Sequence, residues 1–228
     1  MSYLSAATHA AIISKPSLIA SLYGDNWSSF ARDLGPVDVG MWMDNGLLAA
    51  AYASVVANDM KPYGPETGGP NIADELSAPS LACDQFARLT WNFIKLLSPW
   101  CNNLKVRAVG WDNGPETYDP PCPVGNHAQM FVVNSHGSLL LDPTIGLVVP
   151  ATYTQVAGGI PVDMSKSKTF CLTFQNDPVK TPFAHRVIDA LGKGLYRPCH
   201  ALYYCATLSN FNSVGTWWPT PAGAHFQT

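Results

Sequence analysis

Three side chains in the middle of the chain have the types that nucleophilic attack by a thiol requires: Cys83, His127 and Asp142. A thiol attacks a carbonyl well only as its thiolate, and a nearby imidazolium or a helix N-terminus stabilises that anion. A histidine oriented by a carboxylate is the usual base for such a group. We therefore predict that Cys83 attacks a carbonyl, that His127 shares its proton and that Asp142 orients the imidazole.

A predicted helix positions the thiol. Apolar residues recur at helical spacing from Leu81 to Leu97, and Pro99 prevents the helix from extending much further. Ser77 and Ser80 are candidate N-caps. Cys83 is thus expected within about the first turn, where the partial positive charge of the helix lies.

A predicted hairpin positions the other two residues. The segments 128–133 and 138–141 are rich in Val, Leu and Phe, and Asn134 to Gly137 read as the turn between them. His127 then opens one strand and Asp142 closes its partner, so both lie at the open end of the hairpin. Further strands are predicted at 106–111, 169–174 and 201–206.

The rest of the chain is predicted to be helical before the thiol and mixed after it, which is an α+β fold. The helices predicted from capping residues, Gly, Pro and apolar spacing are Ser5–Ile13, Ser17–Tyr23, Asn26–Leu34, Asp44–Ala57 and Phe183–Leu191. We expect a helical elaboration over residues 1–75 and a catalytic core with a C-terminal extension over residues 76–228, forming one compact unit.

Four segments around these residues resemble the transglutaminase-like, broadly papain-like, superfamily of cysteine enzymes. They are Leu81-Ala-Cys-Asp-Gln-Phe-Ala, Val106-Arg-Ala-Val-Gly-Trp111, Asn126-His-Ala-Gln-Met-Phe-Val132 and Leu139-Leu-Leu-Asp-Pro-Thr144. The resemblance covers about residues 81–149 and implies a nucleophile helix packed on a mostly antiparallel sheet, with Cys83, His127 and Asp142 as the triad. Two positions depart from the family pattern: Gln129 replaces the usual Trp, and Ala82 the usual Gly.

The groups that would bind substrate are less well defined. The backbone N–H of Cys83 is the expected first donor to an oxyanion, and Asn71, Tyr63 and Trp111 are candidates for the second. Trp217, beside Trp218, either lines a substrate cleft or covers an edge of the core.

No cofactor and no metal are expected. The chain has six cysteines but no CxxC motif, and Cys199, His200 and Cys205 lack a fourth ligand nearby in sequence. His136 in the predicted turn and His185 on a predicted helix are interpreted as surface residues.

Composition argues against two classes of partner. The chain has 13 Lys and Arg against 16 Asp and Glu, a formal charge of -3, and no basic run that would neutralise phosphates, so no nucleic acid is expected. The apolar stretch from Gly46 to Ala57 is shorter than the roughly 20 residues of a membrane span. The first residues lack a basic start and a cleavage pattern, so we expect a cytoplasmic protein or one delivered by a signal-independent route.

The predicted partner is a protein or peptide with an amide bond to attack. Water would complete the reaction of a protease, an amidase or a glutamine deamidase, whereas an amine would complete that of a transglutaminase. A third hypothesis is an inactive module that binds through the same fold. The resemblance also suggests a bacterial effector or toxin, with an immunity or chaperone protein as a further partner, and a housekeeping hydrolase is the alternative.

Overall fold

The computed structural model describes residues 4–34, 45–65, 71–101, 103–111, 124, 127–169, 180–196 and 201–207. Its helices are α1 (Ala6–Ser14), α2 (Leu18–Leu34), α3 (Asn45–Met60), α4 (Ile72–Ser77), α5 (Cys83–Leu96), α6 (Ser98–Cys101), α7 (Tyr153–Ala157) and α8 (Lys180–Gly192), with a 3-10 turn at Met164–Lys166. Its strands are β1 (Lys105–Trp111), β2 (His127–Asn134), β3 (Gly137–Asp142), β4 (Leu147–Pro150), β5 (Lys168–Thr169) and β6 (Ala201–Thr207).

The strands form one antiparallel sheet in the order β5-β4-β3-β2-β1-β6. Strands β2 and β3 make the predicted hairpin, in which Asn134 pairs with Gly137 across a turn of two residues. The molecule therefore belongs to the α+β class that the sequence predicts.

The two faces of the sheet carry two separate apolar cores. Successive side chains of a strand point to opposite faces, and β2 divides accordingly: Met130 and Val132 pack with helices α3 and α5, whereas Phe131 packs with α7 and α8. This arrangement accounts for the continuous burial of β2 from His127 to Val132, since neither face is open to solvent. The helices thus lie on both sides of the sheet.

Helix α3 belongs to the same core as the nucleophile helix. Its side chains from Leu47 to Ala57 are buried against α5 and the sheet. Buried Asn58 near its end donates hydrogen bonds from Nδ2 to the carbonyl oxygens of Pro143 (2.8 Å) and Thr144 (2.9 Å). The N-terminal helices therefore support the turn that follows Asp142.

Several predicted elements differ from the observed ones. The segments Ser17–Tyr23 and Asn26–Leu34, predicted as two helices, form the single helix α2, because Gly24 lies in an open stretch where a helix tolerates it. Strand β4 was not predicted, since a run of four residues after Gly146 is too short to give a periodic signal. The predicted strand 169–174 lies largely outside the described residues.

Within the described part of the chain, no helix combines the length and the hydropathy that crossing a lipid bilayer requires.

A buried pair of hydrogen-bonded side chains joins α4 to α5, the nucleophile helix. Glu75 and Arg88 are 0% and 3% exposed, and the Arg88 Nε donates to Glu75 Oε1. Burial raises the pKa of Glu75 to about 8, although the charge and hydrogen bond of Arg88 oppose this shift. The folded protein therefore holds a proton that the unfolded chain releases at about its ordinary pKa of 4.5.

Replacing Glu75 by glutamine is expected to flatten the pH dependence of stability. Since the folded state binds the extra proton, the stabilisation from Glu75 is complete below about pH 4.5 and is lost as the pH rises through about 8. Glutamine keeps the shape and acceptor of the neutral acid but does not titrate. Urea unfolding measures this effect. Between pH 5 and 6.5, the free energy of unfolding should decline by about 1 to 2 kcal/mol less in the variant than in the wild-type protein.

The matched control for this experiment is Asp189→Asn. Asp189 pairs with Lys193 at 2.9 Å on the surface of α8, where both side chains are exposed, and such a pair contributes little. The control should therefore keep the wild-type slope. A Glu75→Gln variant with the wild-type slope would show that Glu75 is ionised in the folded protein throughout this range.

Candidate active site

Cys83 is the first residue of α5, as the sequence predicts, and its thiol is free and half-buried. The cap differs from the predicted one. Ala82 occupies the N-cap position, and its N–H donates to Gln85 Oε1 at 3.1 Å. Ser77 instead closes α4, and the Ser80 hydroxyl donates to the carbonyl of Pro65 at 3.3 Å. Ala82 has no side-chain oxygen to accept from the N–H groups of the first turn, which lie near the thiol.

His127 and Asp142 meet at the open end of the hairpin, as predicted. His127 Nε2 lies 2.6 Å from Asp142 Oδ2, and both side chains are fully buried. Met130 pairs with Leu141, so the register continues to place Gln129 opposite Asp142, with His127 on the same face one pleat further. The histidine therefore reaches the carboxylate diagonally.

The environment of His127 favours the imidazolium. Burial by itself lowers the pKa of the imidazole, but the charge and hydrogen bond of Asp142 and the adjacent Cys83 sulfur outweigh it and raise the pKa to about 10. With Nε2 on Asp142, the other ring nitrogen, Nδ1, is buried and has no partner among the described side chains apart from this thiol. The structure thus brings all three predicted residues together.

Gln129 connects the pair to the interior, a role that the sequence did not reveal. Its Nε2 donates to Asp142 Oδ2 at 2.9 Å and to the Tyr196 hydroxyl at 3.3 Å. Its Oε1 accepts from Trp111 Nε1 at 3.0 Å. Trp111 lies opposite His127 on the neighbouring strand. Its indole is 1% exposed and its N–H donates to Gln129, so this N–H is not positioned to donate to an oxyanion.

An aromatic wall that we did not predict covers the other side of His127. The ring of Phe183, on α8, packs edge-on against the imidazole at 4.9 Å. Tyr63 stacks on Phe183 with ring centroids 5.8 Å apart and planes 5° apart. The exposed Arg186 guanidinium lies 5.7 Å from the Phe183 centroid. The two rings limit access of water to the His127–Asp142 pair from this side.

The segment that carries Tyr63 lies beside the residues that precede the thiol. Gly64 N–H donates to the Leu81 carbonyl, and Leu81 N–H donates to the Pro62 carbonyl, each at 3.1 Å. A Cβ built on Gly64 would lie 2.7 Å from Ser80 Oγ and 2.8 Å from Ser80 Cβ. The close approach therefore requires glycine at this position.

We expect Gly64→Ala to destabilise the protein and Gly24→Ala to stabilise it. Alanine at Gly64 collides with Ser80 and pushes the two segments apart, which should lower the free energy of unfolding by about 1 to 3 kcal/mol. Gly24 is in the interior of α2 with nothing within 4 Å of an added Cβ. Alanine at Gly24 should raise the free energy of unfolding by about 0.5 to 1 kcal/mol. Urea titrations measure the free energy of unfolding of both variants. If the two substitutions changed it in the same direction, the close approach at Gly64 would not be the cause.

The remaining predicted residues lie elsewhere. Asn71 is the exposed N-cap of α4, where its Oδ1 accepts from Asp74 N–H at 2.9 Å. His136 lies in the hairpin turn and His185 on α8, and both are exposed. Trp217 is outside the described residues, as are Trp218, Cys199 and His200 and the side chain of Cys205. Among the described residues, no three His, Cys, Asp or Glu side chains come together as a metal site.

Comparison with protein-family models, with curated proteins and with solved structures finds no match to this chain. The chemistry of the site is therefore inferred from its own geometry.

Proposed function

We propose that this chain is a cysteine-dependent acyl-transfer enzyme that attacks amide bonds of proteins or peptides through a thioester on Cys83. The observation that carries the proposal is the buried His127–Asp142 pair, 2.6 Å apart, beside a half-buried thiol at a helix start. A buried His–Asp pair costs desolvation energy, and a structural role would not require a free thiol next to it. The local resemblance to transglutaminase-like enzymes supports the same reading, including a papain-like core.

The steps follow from these positions. The Cys83 thiolate bonds to the amide carbon, and the carbonyl oxygen becomes an oxyanion that the Cys83 backbone N–H stabilises. When the C–N bond breaks, the imidazolium of His127 donates its proton to the leaving nitrogen, which departs as an amine or as ammonia. Neutral His127 then takes a proton from water as the water attacks the thioester, which releases the carboxylic acid and the thiolate. Asp142 holds the imidazole by Nε2 throughout.

A glutamine-rich protein such as casein tests the reaction. We expect ammonia release or peptide-bond cleavage, and neither with Cys83→Ser. Ammonia release accompanied by incorporation of a labelled primary amine would identify an amine as the acceptor and replace hydrolysis by transglutamination.

The alternative of an inactive binding module is tested by the thiol itself. Iodoacetamide should label Cys83 at pH 6, where an ordinary thiol of pKa near 8.5 is almost fully protonated. Peptide mapping by mass spectrometry assigns the label to Cys83. A labelling rate that falls tenfold per pH unit below pH 8 would match an ordinary thiol and contradict the proposed enzyme.

A further inference from the structure

Tyr63 lies between the segment that precedes the thiol and the aromatic ring that packs on His127. Its backbone lies alongside Leu81, two positions before Cys83, in a parallel bridge. Its ring stacks on Phe183, and Phe183 in turn contacts the His127 imidazole at 4.9 Å. Tyr63 is therefore attached both to the nucleophile segment and to the ring that covers the base.

The hydroxyl of Tyr63 is a phenol O–H, which can donate one hydrogen bond. None of the residues that the structure describes forms a hydrogen bond with it. Burial and then the nearby charges of Cys83 and Asp142 raise the pKa of Tyr63, and the weaker opposing effect of Arg186 does not reverse the shift. The phenol therefore keeps its proton at neutral pH, within electrostatic range of the thiol.

The other candidate donors are occupied or distant. The Trp111 N–H donates to Gln129, and Asn71 caps α4 at the surface. The backbone N–H of Cys83 supplies one hydrogen bond, whereas an oxyanion hole generally has two donors.

We propose that the Tyr63 hydroxyl is the second oxyanion donor of the Cys83 site. The inference rests on the proposed acyl-transfer function. Tyr63 donates a hydrogen bond to the oxygen of the tetrahedral intermediate and keeps its proton, so no bond of Tyr63 breaks. When the intermediate collapses, the carbonyl reforms and the hydrogen bond weakens. Tyr63 is thus a catalytic residue, and its contribution is confined to steps in which an oxyanion forms.

Two reactions of the same thiol test this assignment. Acylation of Cys83 by p-nitrophenyl acetate passes through an oxyanion, whereas alkylation by iodoacetamide displaces iodide at a saturated carbon and forms none. In Tyr63→Phe, which keeps the ring and its stacking, we expect acylation to slow about 10²-fold and alkylation to stay within twofold of wild type. Tyr23→Phe is the control, since Tyr23 is buried among Tyr52 and Trp100 in the helical layer; both of its rates should match wild type.

The outcomes separate the two proposals. If Tyr63→Phe is acylated within threefold of the wild-type rate, Tyr63 is not an oxyanion donor. The proposed acyl-transfer function is not affected by that result. If both rates fall together, Tyr63 acts on the thiol itself and the assignment is equally wrong. If wild-type Cys83 is alkylated but never acylated, the acyl-transfer function fails and the inference fails with it.

Discussion

Cys83→Ala is expected to lose at least about 10⁴-fold in turnover while the protein keeps its fold. The side chain is half-buried and starts a helix, so removing the sulfur opens no large cavity, although it leaves the buried His127 Nδ1 without its thiol partner. The free energy of unfolding should fall by no more than about 1 to 3 kcal/mol, the cost of leaving one buried polar group unpaired. Product release from the glutamine-rich substrate gives the turnover, and urea unfolding gives the stability.

Cys101→Ala provides the reciprocal control. Cys101 is fully buried in the helical core, with its sulfur 3.9 Å from the Gly46 carbonyl oxygen. Its loss should cost about 1 kcal/mol of stability and leave turnover intact, so turnover distinguishes it from Cys83→Ala. Turnover above a tenth of wild type in Cys83→Ala would mean that the nucleophile is another residue.

Asp142→Asn is expected to reduce turnover by about 10² to 10⁴-fold at pH 7. The negative charge of Asp142 is what maintains the imidazolium against burial. Asparagine fills the same space without the charge, so the pKa of His127 should fall well below about 10. The Cys83 sulfur then no longer has an imidazolium beside it at neutral pH.

The pH dependence provides the measurement. Because the folded-state pKa of His127 is raised, its stabilising contribution is complete below about pH 6.5 and is lost as the pH rises through about 10. The alkaline limit of wild-type turnover should likewise lie near pH 10, and in Asp142→Asn it should move by several pH units toward acid. Histidine NMR titration follows the imidazole directly.

Asp189→Asn again serves as the control, since Asp189 belongs to an exposed pair with Lys193. It should change neither turnover nor the alkaline limit. An Asp142→Asn variant with an unshifted alkaline limit would assign that limit to a group other than His127.

The parts of the site that are close in sequence were predictable. The hairpin turn at Asn134 to Gly137 determines which strand ends meet, so His127 and Asp142 could be paired from spacing alone. Helical spacing likewise placed Cys83 at the start of α5. Strand ends differed from the predictions by about one residue, because fraying at a strand end leaves little trace in local sequence.

The parts that depend on distant segments were not predictable. The hydrogen bonds of Gln129 to Trp111 and Tyr196 join residues 18 and 67 positions away, and the spacing within the hairpin does not indicate these partners. Phe183 reaches His127 from a helix on the second face of the sheet. Periodicity indicates that such a helix has an apolar side but not which face of which sheet it covers.

The hydrogen bonds from Asn58 to the turn after Asp142 have a consequence for the order of folding. They join positions as much as 86 residues apart, and contacts of such separation form only after the intervening chain has closed. A chain still being synthesised that ends before Thr144 carries the thiol of Cys83 but no fixed carboxylate to hold the imidazolium. Under the proposed function, the Cys83 site is therefore complete only when the N-terminal helices have docked onto the sheet, and a partly made chain does not yet carry out the reaction.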